Sequence, residues 1–149
     1  MSETILCKTH EDSFQLGEKI GIGLQSGDIV LLRGELGAGK TVLTKGILNA
    51  LGFDPADVTS PSFALVNLYT TAKFDVYHID LWRVGKGSDA AFEVGLDDIA
   101  ASGNSAVIIE WAERLGDHRL DGRVIDVSIE IQDDDSRVIE IVQRGAVVV

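Results

Sequence analysis

The chain has 149 residues, 45% of them hydrophobic and 25% charged, the profile of one ordinary globular domain spanning residues 1–149. Thirteen Lys and Arg against 24 Asp and Glu give a formal net charge of −11, which argues against a domain that grips nucleic acid through phosphates by itself. The lone Cys7 excludes an internal disulfide, and neither a basic–apolar leader nor an apolar run near the ~20 residues of a bilayer span occurs, so a cytoplasmic protein without membrane contact is expected.

In chain order, the first expected element is a helix from Asp12 or Ser13 to Leu24, capped by either residue, with Phe14, Ile20 and Leu24 near helical spacing. Gly17, Gly21 and Gly23 weaken it, because each costs up to about 1 kcal/mol against alanine inside a helix. Ile29-Val30-Leu31-Leu32 reads as a strand buried on both faces. Thr41 to Leu51 carries a helical stripe of Val42, Leu43, Ile47, Leu48 and Leu51, stopped by Gly52. Phe63–Tyr69 and Phe74–Ile79 suit a hairpin, and Asp89 to Ala101 suits a helix with Phe92, Leu96 and Ile99 on one face. Ala106–Ile109 is a second buried strand. Ile125, Val127, Ile129 and Ile131 alternate with polar residues, as in a half-exposed antiparallel strand paired with Arg137–Val142. The sum is an α/β layered domain with a mixed parallel and antiparallel sheet.

GELGAGKT at Gly34–Thr41 fits G-x-x-x-x-G-K-[ST] in full. Glycines let the backbone close around phosphate oxygens, and the helix that follows offers its positive end. Gly37, Ala38, Gly39 and Val42 are therefore candidate nucleotide contacts. Lys40 suits the β- and γ-phosphates, and the Thr41 hydroxyl suits Mg²⁺. Apolar strand before and apolar-striped helix after are the context that separates such a loop from a chance glycine turn. A guanine-reading Asn-Lys-x-Asp is absent, which disfavours a GTPase of the usual kind.

An acid at the end of a buried strand normally completes a Mg²⁺–ATP site. Glu110 follows Ala106–Ile109, and Asp80 follows Val76–Ile79; either could instead cap a turn. His78 shares a strand face with Asp80 and reads as a packed, hydrogen-bonded residue. Trp111 reads as a core aromatic on sequence alone, with a place beside the nucleotide as the alternative. Thr59-Ser60-Pro61-Ser62 is a strand-entry turn or a loop that senses the γ-phosphate.

GELGAGKT, TSPSFALVNLY at Thr59–Tyr69, YHIDLWR at Tyr77–Arg83, EVGLDD at Glu93–Asp98 and IIEWAER at Ile108–Arg114 resemble the TsaE (YjeE) family. That family comprises small P-loop NTPase-like three-layer ATPases of bacterial tRNA threonylcarbamoyladenosine biosynthesis. Ser62 stands where threonine is commoner, Trp82 where tyrosine is, and Val42 where a second threonine is usual. The segment after about Asp117 matches poorly. The resemblance implies ATP and Mg²⁺ as cofactors, with Lys40 on the phosphates, and Thr41 and Glu110 on the metal. It further implies Asp80 as a water-orienting acid and Trp111 beside the nucleotide. Glu11-Asp12-Ser13 resembles the family's segment near the adenine, which puts Glu11 in the nucleotide site. It also implies service to the TsaB–TsaD pair, with tRNA contacted weakly or through those partners. Two rivals share the phosphate loop: a small-molecule kinase, which needs an acceptor pocket and usually an Arg-bearing lid, and a nucleotide sensor that hardly turns over. Only Arg83 and Arg114 stand near candidate site residues.

Overall fold

The computed structural model describes residues 2–35, 37–59, 65–82, 90–91, 94–116 and 118–145. Its elements are β1 (Ser2–Cys7), α1 (His10–Ile22), β2 (Ile29–Arg33), α2 (Lys40–Ala50), β3 (Val66–Thr70), β4 (Asp75–Asp80), α3 (Leu96–Ala100), β5 (Ser105–Glu110), β6 (Val124–Ile131) and β7 (Arg137–Arg144). Short 3-10 turns occupy Pro55–Asp57 and Ala112–Leu115. The strands form one sheet in the order β1-β7-β6-β2-β5-β4-β3. β6, β2, β5 and β4 run parallel, while β1, β7 and β3 pair antiparallel at the two edges. No helix among the described residues is long and apolar enough to cross a membrane.

Alternation along the strands divides the core into two layers. Val30 and Leu32 of β2, Ala106 and Ile108 of β5, and Val127 of β6 pack against Leu16 of α1 and Leu43, Ile47 and Leu48 of α2. Ile29, Leu31, Val107 and Ile109 pack on the opposite face against Ala90, Ala91, Leu96 and Leu115. This is the expected mixed sheet between helical layers.

Three local expectations change. The cap of α1 is Thr9, not Asp12 or Ser13: its side chain accepts from the Asp12 amide at 3.1 Å, and the Asp12 carboxylate accepts from the Thr9 amide at 3.2 Å. That reciprocal pair starts the helix earlier, because it satisfies two donors at once. β1 was not expected; only Cys7 of its six residues is buried, so the strand is specified by backbone pairing with β7 rather than by a hydrophobic pattern. The single helix over 89–101 is interrupted by Gly95 at φ 67, which begins α3 as a separate turn; Asp89, Phe92 and Glu93 lie outside the described residues, as does Phe63. β6 is half-exposed and pairs antiparallel with β7 as expected, and on its other edge it pairs parallel with β2. Asp126 on its polar side binds Arg33 at 2.8 Å and Arg144 at 3.3 Å.

The glycines that weaken α1 in isolation fit it against α2. A Cβ on Gly17 would lie 2.4 Å from the Leu43 carbonyl oxygen, and one on Gly46 would lie 2.2 Å from that of Phe14. Helix propensity favours Gly46→Ala by about 1 kcal/mol, but overpacking of this kind costs typically 1–3 kcal/mol, and here backbone is the obstacle. The steric effect wins. Gly46→Ala is expected to destabilise by about 2 kcal/mol, lowering the melting temperature by roughly 4–8 °C. A thermal melt with an unchanged or higher midpoint would contradict the close helix contact.

Candidate active site

Leu32 of β2, Glu110 of β5 and Asp80 of β4 are neighbours in register at the carboxyl ends of three parallel strands. In open α/β sheets this end is where ligands bind. The phosphate loop leaves β2 here and turns into α2 through Gly39 at φ 105, a conformation that L side chains rarely adopt. The N-terminus of α2 has no side-chain cap and no acid in its first turn. Its amide donors and positive helix end are thus left for an anion. Thr41 and Val42 are half-buried in that first turn.

Lys40 closes the loop on itself. Its Nζ donates to the Gly34 carbonyl at 2.7 Å and the Glu35 carbonyl at 3.0 Å, and sits 4.2 Å from the centroid of a Trp111 ring. The residue is 6% exposed. Burial pushes the ammonium below its ordinary pKa, while Glu110, Glu113 and Asp80 pull it back up.

Trp111 therefore faces the loop as well as the core. It lies at φ 58, costly for a bulky residue by about 1–3 kcal/mol, where the chain turns out of β5. Its ring also lies against that of Trp82, with centroids 4.3 Å apart and planes tilted by 40°, and the Arg114 guanidinium lies 5.3 Å from the Trp82 ring.

By strand alternation His78, Asp80 and Glu110 face the α2 layer, and each is buried. His78 Nε2 lies 2.5 Å from Glu110 Oε2, so the histidine fixes one oxygen of the carboxylate. Its Nδ1 is the one buried side-chain polar atom among the described residues without a hydrogen-bond partner. Asp80 accepts the Trp82 amide at 2.8 Å, which holds the carboxylate at the mouth of the sheet. Thr59 is tied to β3, its amide donating to the Tyr69 hydroxyl at 3.1 Å. Ser60, Pro61 and Ser62 lie outside the described residues, as do Leu36 and Arg83.

Glu11 has its hydrogen-bond partner outside this cluster. It is exposed on the first turn of α1 and accepts from Gln15 at 3.3 Å, while Asp12 is committed to the cap of that helix. His78 is the packed, hydrogen-bonded residue expected, with Glu110 as a partner sequence reasoning did not foresee, and the Arg137 side chain, which reaches the phosphate loop from β7, was missed.

A family model described as threonylcarbamoyl adenosine biosynthesis protein TsaE matches residues 7–139. The chain belongs to the TsaE family. Among its relatives, the tRNA threonylcarbamoyladenosine biosynthesis protein TsaE of Rickettsia bellii is 36% identical over 140 residues, 94% of each chain. The TsaE of Aquifex aeolicus is 36% identical over 141 residues, covering 94% of this chain and 96% of its own. That of Rickettsia felis is 33% identical over 142 residues, 95% of this chain and 81% of its own. A crystal structure of Bacillus subtilis YdiB superposes with a TM-score of 0.77 at 25% identity, covering 98% of this chain and 87% of that one. The family match extends through β6 and into β7, so the segment beyond Asp117 that matched poorly by motif belongs to it as well.

Proposed function

We propose that the chain is a Mg²⁺-dependent ATPase of a single P-loop domain, supporting threonylcarbamoyl modification of the adenosine next to the anticodon of tRNA. It would work in the cytoplasm with the TsaB–TsaD transferase pair. The observation that carries this reading is the convergence of Lys40, Asp80 and Glu110 at one end of the sheet of a TsaE-family chain.

The residues present suit the two groups the reading requires. Uncapped amides at α2 and the Lys40 ammonium suit the phosphates of ATP. Thr41 and Glu110 supply the hard oxygen donors that suit Mg²⁺, and would hold it. Among the described residues no group of three His, Cys, Asp or Glu forms a cage by itself. Mg²⁺ is commonly held by one or two protein oxygens together with substrate phosphates, so a two-residue set is sufficient. When bound, the ion neutralises charge on the β- and γ-phosphate oxygens.

The chain's own residues divide the remaining work. Lys40, already desolvated, would exchange its contacts to the Gly34 and Glu35 carbonyls for a phosphate oxygen. His78 holds the Glu110 carboxylate in one orientation. Asp80, fixed by the Trp82 amide, orients a water on the γ-phosphate side and can accept its proton. A net charge of −11 supports recruitment of tRNA through partners, since an acidic surface repels a polyanion.

Steady-state hydrolysis in the presence of Mg²⁺ tests the proposal. Slow turnover alone and faster turnover with the TsaB–TsaD pair are expected, with weak tRNA binding by the isolated chain at moderate salt. Tight tRNA binding by this chain alone, or turnover indifferent to the pair, counts against the coupling role. Phosphoryl transfer to a small-molecule acceptor would favour a kinase, and binding without single-turnover hydrolysis a sensor.

A further inference from the structure

The phosphate loop must turn amide hydrogens toward the ligand, which leaves its carbonyl oxygens to be satisfied elsewhere. Lys40 takes those of Gly34 and Glu35, the second shared with the Ala38 amide at 3.0 Å, and the Leu43 amide takes that of Gly39 at 3.2 Å. Those of Gly37 and Ala38 are taken from outside the loop. Arg137 Nε donates to the Ala38 carbonyl at 3.0 Å and Nη2 to that of Gly37 at 3.3 Å. Its Nη1 donates to the backbone oxygen of Asp135 at 2.5 Å and to the Asp135 carboxylate at 3.2 Å. The Arg137 side chain is only 12% exposed. It arrives from the start of β7, paired with Ile131 of β6 on one side and Cys7 of β1 on the other.

A trans peptide is planar, so a carbonyl pinned in one direction aims the next amide hydrogen the opposite way. Holding the Ala38 oxygen against Arg137 therefore turns the Gly39 amide away from the guanidinium. This matters because Gly37 at φ 83 and Gly39 at φ 105 flank Ala38. Peptides next to glycine have access to both signs of φ and reverse easily. A reversed Ala38–Gly39 peptide would present an oxygen, in place of a donor, to an anion at the N-terminus of α2. Arg137 opposes that reversal with two parallel donors in a rigid fork, which the single point charge of a lysine does not reproduce.

We propose that Arg137 is a positioning residue of the nucleotide site: it locks the Ala38–Gly39 peptide in its anion-accepting orientation and ties that orientation to the β1–β7–β6 edge of the sheet. The proposal rests on the reading of the loop as a nucleotide site. Arg137 touches carbonyls of the loop and not the phosphates, so its removal weakens ground state and transition state alike.

The test is ADP binding by calorimetry in Mg²⁺, with wild type, Arg137→Met and Arg137→Lys. Methionine keeps most of the buried stem without donors or charge. Arg137→Met is expected to raise the Kd for ADP about tenfold and the KM for ATP in parallel, with kcat within roughly threefold, and Arg137→Lys to fall between. A merely structural role gives a lower nucleotide-free melting temperature and a lower binding stoichiometry, but leaves the Kd of the folded fraction unchanged. Should Arg137→Met fail to fold, a several-fold higher Kd in Arg137→Lys carries the same conclusion. Wild-type Kd in both variants, or in Arg137→Lys where it alone folds, overturns the positioning role. Absence of ADP binding by wild type overturns the nucleotide reading itself.

Discussion

Replacing Lys40 by alanine is expected to weaken ATP binding on the order of a hundredfold, since hydrogen bonds to charged groups contribute about 1.5–3 kcal/mol each. Turnover should fall by roughly 10²–10³ as well, the effect of removing one preorganised charge from a developing anion. Stability should barely change, and the reason is electrostatic. Lys40 is buried, its ammonium is destabilised by that burial, and its two carbonyl contacts only partly offset the cost. The residue is an expense to the fold and an asset to the ligand. Calorimetry and a thermal melt on the same sample separate the two effects. Unaltered ATP affinity together with unaltered hydrolysis would remove the phosphate-loop assignment.

The two acids are expected to respond differently, although they sit side by side in register. Asp80→Asn should lower turnover by about 10²–10⁴ with nucleotide affinity largely kept, as expected for a group acting on a proton in the transition state. Glu110→Gln should raise the Mg²⁺ concentration for half-maximal activity about tenfold or more, because a neutral amide is a poorer ligand for a hard cation. Glutamine still accepts a hydrogen bond from His78, so the buried pair is not left with an orphaned charge. A Mg²⁺ titration indistinguishable from wild type in Glu110→Gln excludes that residue from the metal shell. Normal turnover in Asp80→Asn excludes a proton-handling role.

Much of this architecture was legible because burial on both faces leaves a plain mark. β2 and β5 read as unbroken apolar runs, and the phosphate loop between β2 and α2 carries its own spacing. Glu110 and Asp80 were identified as acids that end such runs. What was not legible depends on pairings across the fold. His78 and Glu110 are 32 positions apart and meet only because β4 and β5 are parallel neighbours. Arg137 is 99 positions from Ala38, and no local pattern announces the contact. The α1 glycines were read as a weakness because helix propensity describes an isolated helix, whereas Gly17 lies against the backbone of α2. At Thr9 the signal was present in the sequence: Thr9-x-x-Asp12 is a hydroxyl and an acid at capping-box spacing. Glu11 comes from the resemblance alone, and the hydrogen bond it makes, to Gln15 of its own helix, carries no mark of a ligand.

The chain has two tryptophans, and both lie at this site, with ring centroids 4.3 Å apart and the Lys40 ammonium 4.2 Å from Trp111. The whole of its indole fluorescence therefore originates from a ring beside the Lys40 ammonium and a second ring against the first. A charge over an indole face perturbs the excited state, so any anion that draws the ammonium aside changes the emission without a dye or a coupled reaction. The protein carries its own optical probe of occupancy, and Lys40→Ala silences that probe at its source.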